Sequence, residues 1–163
     1  MINKKILFVC LGNICRSPAA EGIMASVIKK NEMEEFIMVD SAGTIPYHRG
    51  ELPDQRMRSH ALKRGYSLTH RSRMFDPEKD FDFFDYIVVM DGQNYTDIIS
   101  LDKRKVYKDK IFKMIDFCSE HRIKAVPDPY YLGSEGFEEV LDILEDGCSG
   151  LFNKVKDNIG LRT

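Results

Sequence analysis

The tightest constraint on this chain is a succession of three stretches: the apolar run Ile6-Leu7-Phe8-Val9, the octet Cys10-Leu11-Gly12-Asn13-Ile14-Cys15-Arg16-Ser17, and then Pro18-Ala19-Ala20-Glu21. It reads as buried strand, tight loop and helix start. Several backbone N–H groups of such a loop can face one concavity, and the following helix adds unpaired donors and its positive end, so a tetrahedral dianion is favoured there. Gly12 permits positive φ and close backbone approach, Asn13 tolerates a left-handed turn, Ser17 can cap a helix, and Pro18 suits its first position. Glu21 falls one residue too late for a capping box. Cys10 stands at the mouth of the concavity. Inward amides, a helix N-terminus and a guanidinium all favour the thiolate, the nucleophilic form of cysteine. Arg16 offers a planar fork matching two phosphate oxygens at once, which the point charge of a lysine does not.

The rest of the chain bounds what can surround that loop. At 163 residues it has the length of one compact domain, expected to span 1–163. A 43% hydrophobic and 31% charged composition is globular, and a formal charge of -2 gives no electrostatic reason to expect nucleic acid or an anionic membrane as partner. No apolar run reaches the roughly 20 residues of a membrane span, and 6–9 is too short for a signal-peptide core, so a cytoplasmic protein is expected. Cysteines at 10, 15, 118 and 148 form neither CxxC pairs nor a dense disulfide framework. Reduced thiols and no metal site follow.

Taken in order, Ala20, Ile23, Met24, Val27 and Ile28 recur at three- and four-residue spacing and predict an amphipathic helix from 17 to about 30. The run 36–39 predicts a strand, and the strand-helix-strand unit thus formed takes a right-handed crossover, hence a parallel sheet. Pro46, Gly50 and Pro53 mark 44–53 as a surface loop, while 54–64 predicts a helix stopped by Gly65. Phe81, Phe83 and Phe84 lead into a buried strand at 86–90, then a helix at 93–101 that Asp91 can cap. A fourth strand is expected at 110–115, and 117–126 is the least readable stretch. In Asp128-Pro129-Tyr130-Tyr131 the proline biases Asp128 away from helix and sets it on a rigid turn. From Glu135 on, an apolar stripe through Phe137, Leu144 and Ile159, with Cys148 in the core, predicts a long closing helix. Four strands alternating with helices imply an α/β protein, a three-layer sandwich on a four-stranded parallel sheet.

Val9-Cys10-Leu11-Gly12-Asn13-Ile14-Cys15-Arg16-Ser17-Pro18 resembles the signature of the low-molecular-weight protein tyrosine phosphatases, and further motifs follow in that family's order along nearly the whole chain. The resemblance implies a small flavodoxin-like fold and a phosphatase working through a cysteinyl-phosphate intermediate. It implies that Asp128 is the general acid and then the base, and that Tyr47, Tyr130 and Tyr131 line the walls of the cleft. It also implies that Ser41 and His70 support the loop asparagine, with Asp91 anchoring nearby side chains. His70-Arg71-Ser72-Arg73 resembles the family's His-x-Ala-Arg segment, with Ser72 in place of the usual alanine.

Hydrolysis of a phosphate ester needs an in-line nucleophile, donors for the equatorial oxygens and a proton for the leaving group. Cys10 would supply the first. The second falls to Arg16 and the loop of Leu11, Gly12, Asn13, Ile14, Cys15 and Ser17, and the third to Asp128, without metal or cofactor. Ser17 would donate to the Cys10 sulfur while Asn13 holds the loop's shape. Aromatic walls suit a phosphotyrosine-containing protein substrate, with phosphate or other oxyanions in the loop, and the chain is expected as a monomer or weak dimer. Cys15 is the expected redox partner of Cys10. Thioredoxin-coupled arsenate reductases resemble this loop, but 81–101 lacks the cysteine pair of their relay. Arginine phosphatases of the same family carry threonine where this chain has Ile14. A phosphotyrosine-binding module without turnover is the alternative of a different class, against which the presence of both Cys10 and Asp128 argues.

Overall fold

The computed structural model describes residues 1–160, so the last three residues of the expected 1–163 domain lie outside it. Four parallel strands form one sheet in the order β2-β1-β3-β4: β1 Lys4–Cys10, β2 Ile37–Gly43, β3 Tyr86–Val89 and β4 Ile111–Lys113. Successive side chains of β1 point to opposite faces, as the period of a strand requires. Ile6, Phe8 and Cys10 enter one core with Ile23 and Met24 of α1 (Arg16–Lys30) and Leu141, Leu144 and Cys148 of α5 (Ser134–Ile159). Leu7 and Val9 enter the other. There they meet Phe81 of the short α3 (Asp80–Phe83), Phe84, and Ile98 of α4 (Gly92–Leu101). The three-layer α/β sandwich follows from that alternation, with α2 (Gln55–Lys63) packed against α1 and α5.

From β1 the chain passes to β2 on one side and then to β3 on the other. In open α/β sheets the crevice beyond the strand ends at such a reversal is where ligands bind. Cys10, the last residue of β1, stands there opposite Gly43 of β2.

Several boundaries differ from the sequence reading, each for a local reason. Helix α1 starts at Arg16, with Cys15 as N-cap and no side-chain cap, so Ser17 caps nothing and Pro18 is the third helical residue. Its missing N–H still falls among donors that no helix turn uses. Gly12 does not adopt positive φ; Asn13 does, at 57°. β2 continues past residue 39 through Asp40-Ser41-Ala42-Gly43, because pairing with β1 outweighs the poor strand propensity of its polar pair. Asp54 caps α2 from outside it. β4 keeps only three residues of the expected 110–115, followed by a 3-10 turn at Met114–Phe117.

Candidate active site

The loop between β1 and α1 is shaped from outside by its carbonyls. The Leu11 carbonyl accepts from the N–H groups of Thr44 (2.9 Å) and Ile45 (3.1 Å). That of Gly12 accepts from the Ser72 hydroxyl at 3.0 Å, and that of Ile14 from the Asp54 N–H at 2.7 Å. With the carbonyls drawn outward, the N–H groups of Gly12, Asn13, Ile14 and Cys15 donate to no other protein group among the described residues. Buried backbone donors are nearly always paired, so this ring is built to receive an acceptor. Ser72, where the resembled family has alanine, thus braces the loop. Gly12 matters for space: a Cβ there would lie 3.1 Å from Cδ2 of His48.

Beneath the ring lies a polar network centred on Asn13, which is fully buried. Its amide nitrogen donates to Ser17 Oγ (2.7 Å) and Ser41 Oγ (3.0 Å). Its oxygen meets His70 Nε2 at 2.9 Å and accepts from the Arg73 N–H at 3.0 Å. Ser17 Oγ lies 3.0 Å from Cys10 Sγ. The hydroxyl also accepts from Asn13 and lies 3.4 Å from the Ala42 carbonyl, to which it can donate; with the Cys10 sulfur as thiolate, which has no hydrogen to give, the Ser17 hydroxyl is the donor of that pair.

Arg16, 3% exposed, donates through Nη1 to Asp91 Oδ2 (2.6 Å) and to the Val126 carbonyl (3.0 Å), and its Nη2 lies 3.6 Å from Asp128 Oδ2. Burial works against its charge, but Cys10, Asp91 and Asp128 outweigh it and hold the guanidinium above its ordinary pKa. Asp91 also accepts from the Asn94 N–H at 2.8 Å, so the anchor and helix-cap roles coexist. Burial, reinforced by the charges of Asp54, Cys10 and Asp128, pushes the Cys15 thiol well up.

Above the ring is a cleft of about 230 Å³. Its floor is the loop from Cys10 to Arg16; Ile45, Tyr47 and His48 form one wall, and Asp128, Tyr130 and Tyr131 the other. Tyr47 and Tyr131 are 81% and 87% exposed, so they stand as a rim. The expected residues therefore converge, with Ser41 and His70 below and Asp91 beside Arg16. Ile45, His48, Asp54 and Glu21 went unread in the sequence as parts of this region. Glu21 Oε1 accepts from Ser41 Oγ at 2.7 Å and lies 3.1 Å from His70 Nδ1, which is also 3.3 Å from Asp40 Oδ1. These three side chains converge closely enough to hold a cation. Glu21 is instead engaged by Ser41 and His70, and Asp40 by the Arg73 guanidinium, 3.1 Å from its Oδ2.

A parallel α/β sheet carrying a cysteine-and-arginine loop beneath a cleft at its reversal point defines a flavodoxin-like α/β protein. The family model described as low molecular weight phosphotyrosine protein phosphatase matches residues 5–160. A putative low molecular weight protein-tyrosine-phosphatase of Synechocystis is 48% identical over 151 residues, 93% of this chain and 96% of the relative. The human low molecular weight phosphotyrosine protein phosphatase is 36% identical over 152 residues, 93% and 95% of the two chains. A crystal structure of an Entamoeba histolytica protein tyrosine phosphatase with Hepes in its active site superposes with a TM-score of 0.91 at 48% identity, covering 96% of this chain and 99% of that one. The chain belongs to the low molecular weight protein tyrosine phosphatase family and is a hydrolase of phosphoproteins.

Proposed function

We propose that the chain hydrolyses phosphotyrosine and related aryl phosphate monoesters through a phosphocysteine at Cys10. The observation that carries this reading is the placement of Cys10 Sγ, hydrogen-bonded to Ser17, at the base of a ring of outward-tied carbonyls and unpaired N–H groups, with Asp128 on the opposite wall. The ring amides and Arg16 hold the three non-bridging oxygens. The Cys10 thiolate attacks phosphorus; the S–P bond forms, the aryl O–P bond breaks, and the Asp128 carboxyl gives its proton to the departing phenolate. The resulting carboxylate then takes a proton from water as that oxygen bonds to phosphorus and the S–P bond breaks. Ser17 stabilises the thiolate in both directions. Hepes carries a sulfonate, a tetrahedral oxyanion, and its place in the active site of the Entamoeba relative accords with this use of the loop.

The aromatic rim formed by Tyr47, Tyr130 and Tyr131 suits a phenyl ring, and the apolar Ile14 at the floor adds no polar group that would favour a guanidinium leaving group. Cytoplasmic action belongs to the same proposal. Among the described residues, no helix is long and apolar enough to cross a membrane. Redox pairing of Cys10 with Cys15 belongs to it too: peroxide oxidises the Cys10 thiolate to the sulfenic acid, and the Cys15 sulfur then displaces its oxygen as water to form the disulfide, a step disfavoured by the burial that pushes the Cys15 thiol up. The function is tested by acid-quenching a reaction with excess phosphotyrosine and mapping the phosphoryl group by mass spectrometry. The expected result is one phosphoryl group on the Cys10 peptide, absent in Cys10→Ser, with turnover undiminished by chelator. Turnover in Cys10→Ser, or preference for phosphoarginine, would overturn it.

A further inference from the structure

We propose that Arg56 is a positioning residue that fixes the acid-bearing loop over the phosphate loop; this rests on the reading of Asp128 as general acid. Asp54, the cap of α2, is tied to the phosphate loop by its N–H to the Ile14 carbonyl at 2.7 Å. Its carboxylate receives Arg56 twice, Nε to Oδ1 at 3.2 Å and Nη2 to Oδ2 at 3.0 Å. The same Nη2 donates to the Tyr130 carbonyl at 3.0 Å. The guanidinium carbon lies 5.4 Å from the centre of the Tyr130 ring and 4.9 Å from that of Phe137. A continuous path therefore runs from the loop that binds phosphate, through Asp54 and Arg56, to the turn that carries Asp128.

The remaining restraints show what that path adds. Upstream, Val126 is pinned by its N–H to the Met90 carbonyl (2.9 Å) and by its own carbonyl to Arg16. Downstream, the main chain of 127–132 receives one hydrogen bond from the body of the protein among the described residues, and it comes from Arg56. Among the described residues, the Asp128 carboxylate itself meets only the Tyr130 N–H, within its own turn, and Arg16 at 3.6 Å. Pro129 has no N–H to contribute. A planar fork can hold a carboxylate and a carbonyl together while lying on a ring; an ammonium cannot. Among the described residues Arg56 hydrogen-bonds no group of the Cys10–Arg16 loop and reaches the site through Asp54 and Tyr130, so the test separates an effect on the acid from one on the phosphate loop or the aryl wall.

Misplacing a general acid penalises substrates in proportion to how badly their leaving group needs a proton, and general acid catalysis is worth roughly 10²- to 10⁴-fold. The test is the rate of the phosphorylation step for phosphotyrosine and for an aryl phosphate of a strongly acidic phenol, with vanadate inhibition as the readout of the phosphate loop. Arg56→Ala should slow phosphotyrosine by about tenfold or more, change the acidic-phenol ester by less than about twofold, and leave vanadate inhibition unaltered. Arg56→Lys should fall between Arg56→Ala and wild type. In an Asp128→Ala background, Arg56→Ala should cost nothing further. Equal slowing of both esters by Arg56→Ala, or an undiminished effect in the Asp128→Ala background, would overturn the proposal while leaving the acid assignment standing. Equal slowing of both esters by Asp128→Ala alone would remove the acid assignment and this inference with it.

Discussion

Asn13 occupies a left-handed backbone conformation, and its side chain decides how the network beneath it must be protonated. Its oxygen already accepts from the Arg73 N–H, so His70 Nε2, 2.9 Å away, is the donor. Burial chiefly lowers the His70 pKa, Asp40 raises it and Arg73 lowers it further; the net lowering leaves the ring neutral and Nδ1 an acceptor. An acceptor 3.1 Å from Glu21 Oε1 calls for a proton on Glu21. The carboxyl is suited to keep it. Burial foremost, then the neighbouring Asp40, push it up to about 7 against the opposing pull of Ser41 and Arg73. A carboxyl whose folded pKa lies above its unfolded value of 4.5 binds more protons in the folded state between the two. Its contribution to stability therefore falls as pH rises from about 4.5 to about 7, by at most about 3 kcal/mol. His70 acts in the opposite sense, its lowered pKa withdrawing stability as pH falls below its unfolded value. Glu21→Gln abolishes the Glu21 titration and, with it, the proton that Glu21 shares with His70. In urea unfolding, the destabilisation caused by Glu21→Gln should be larger at pH 5 than at pH 8; a cost independent of pH would refute the shared proton.

At the scale of elements, the loop depends on how β2 ends. Gly43, the last residue of β2, passes beneath the turn so closely that a Cβ would lie 2.8 Å from the Leu11 carbonyl oxygen and 3.1 Å from the Asn13 nitrogen. Both contacts are backbone, so relief would require the loop to move. Gly43→Ala is therefore expected to weaken inhibition by phosphate or vanadate by about tenfold or more, with an overpacking cost of about 1 to 3 kcal/mol in stability. Unchanged oxyanion inhibition would show that the turn does not depend on this approach. Nothing in the sequence singles out Gly43, because its constraint comes from a strand pairing between residues 33 positions apart. The strand-loop-helix unit around Cys10 is legible for the opposite reason: its apolar run, turn residues and helix periodicity are contiguous. Asp128-Pro129 is legible as a rigid turn, and its place opposite Cys10 came from the family resemblance. Arg56 reads as one more charge on a helix until the fold brings Tyr130 against it, and Glu21 as a failed cap until Ser41 and His70 surround it.

Across the whole molecule, the stretch 117–126 is the hardest to read, because it is held by the closing helix and not by its own pattern. Helix α5 carries two glycines on the face that meets the 3-10 turn Met114–Phe117. A Cβ on Gly147 would lie 2.4 Å from Met114 Sδ, and one on Gly150 only 2.0 Å from the Phe117 carbonyl oxygen. Just before Gly147, Asp146 accepts from the N–H groups of Ser119 (2.9 Å), Glu120 (2.9 Å) and His121 (3.0 Å). Against the burial that would raise it, those bonds and the His121 ring hold its carboxyl down to about 2. The helix is thus notched to receive this turn, and Asp146 ties down the segment that leads back to Val126 and the turn that carries Asp128. In an unconstrained helix interior, replacing glycine by alanine stabilises by about 1 kcal/mol. At Gly150 the sign should reverse. The obstructing atom is a backbone oxygen that cannot rotate away, so Gly150→Ala should lower the urea midpoint by the equivalent of about 1 to 3 kcal/mol or more. Gly22 in α1 is the control: a Cβ there would meet Leu68 Cδ2 at 2.4 Å, the far end of a side chain that can turn aside. Gly22→Ala should accordingly cost less than Gly150→Ala. A Gly150→Ala protein as stable as wild type would mean that the helix and the turn are not in the close contact described.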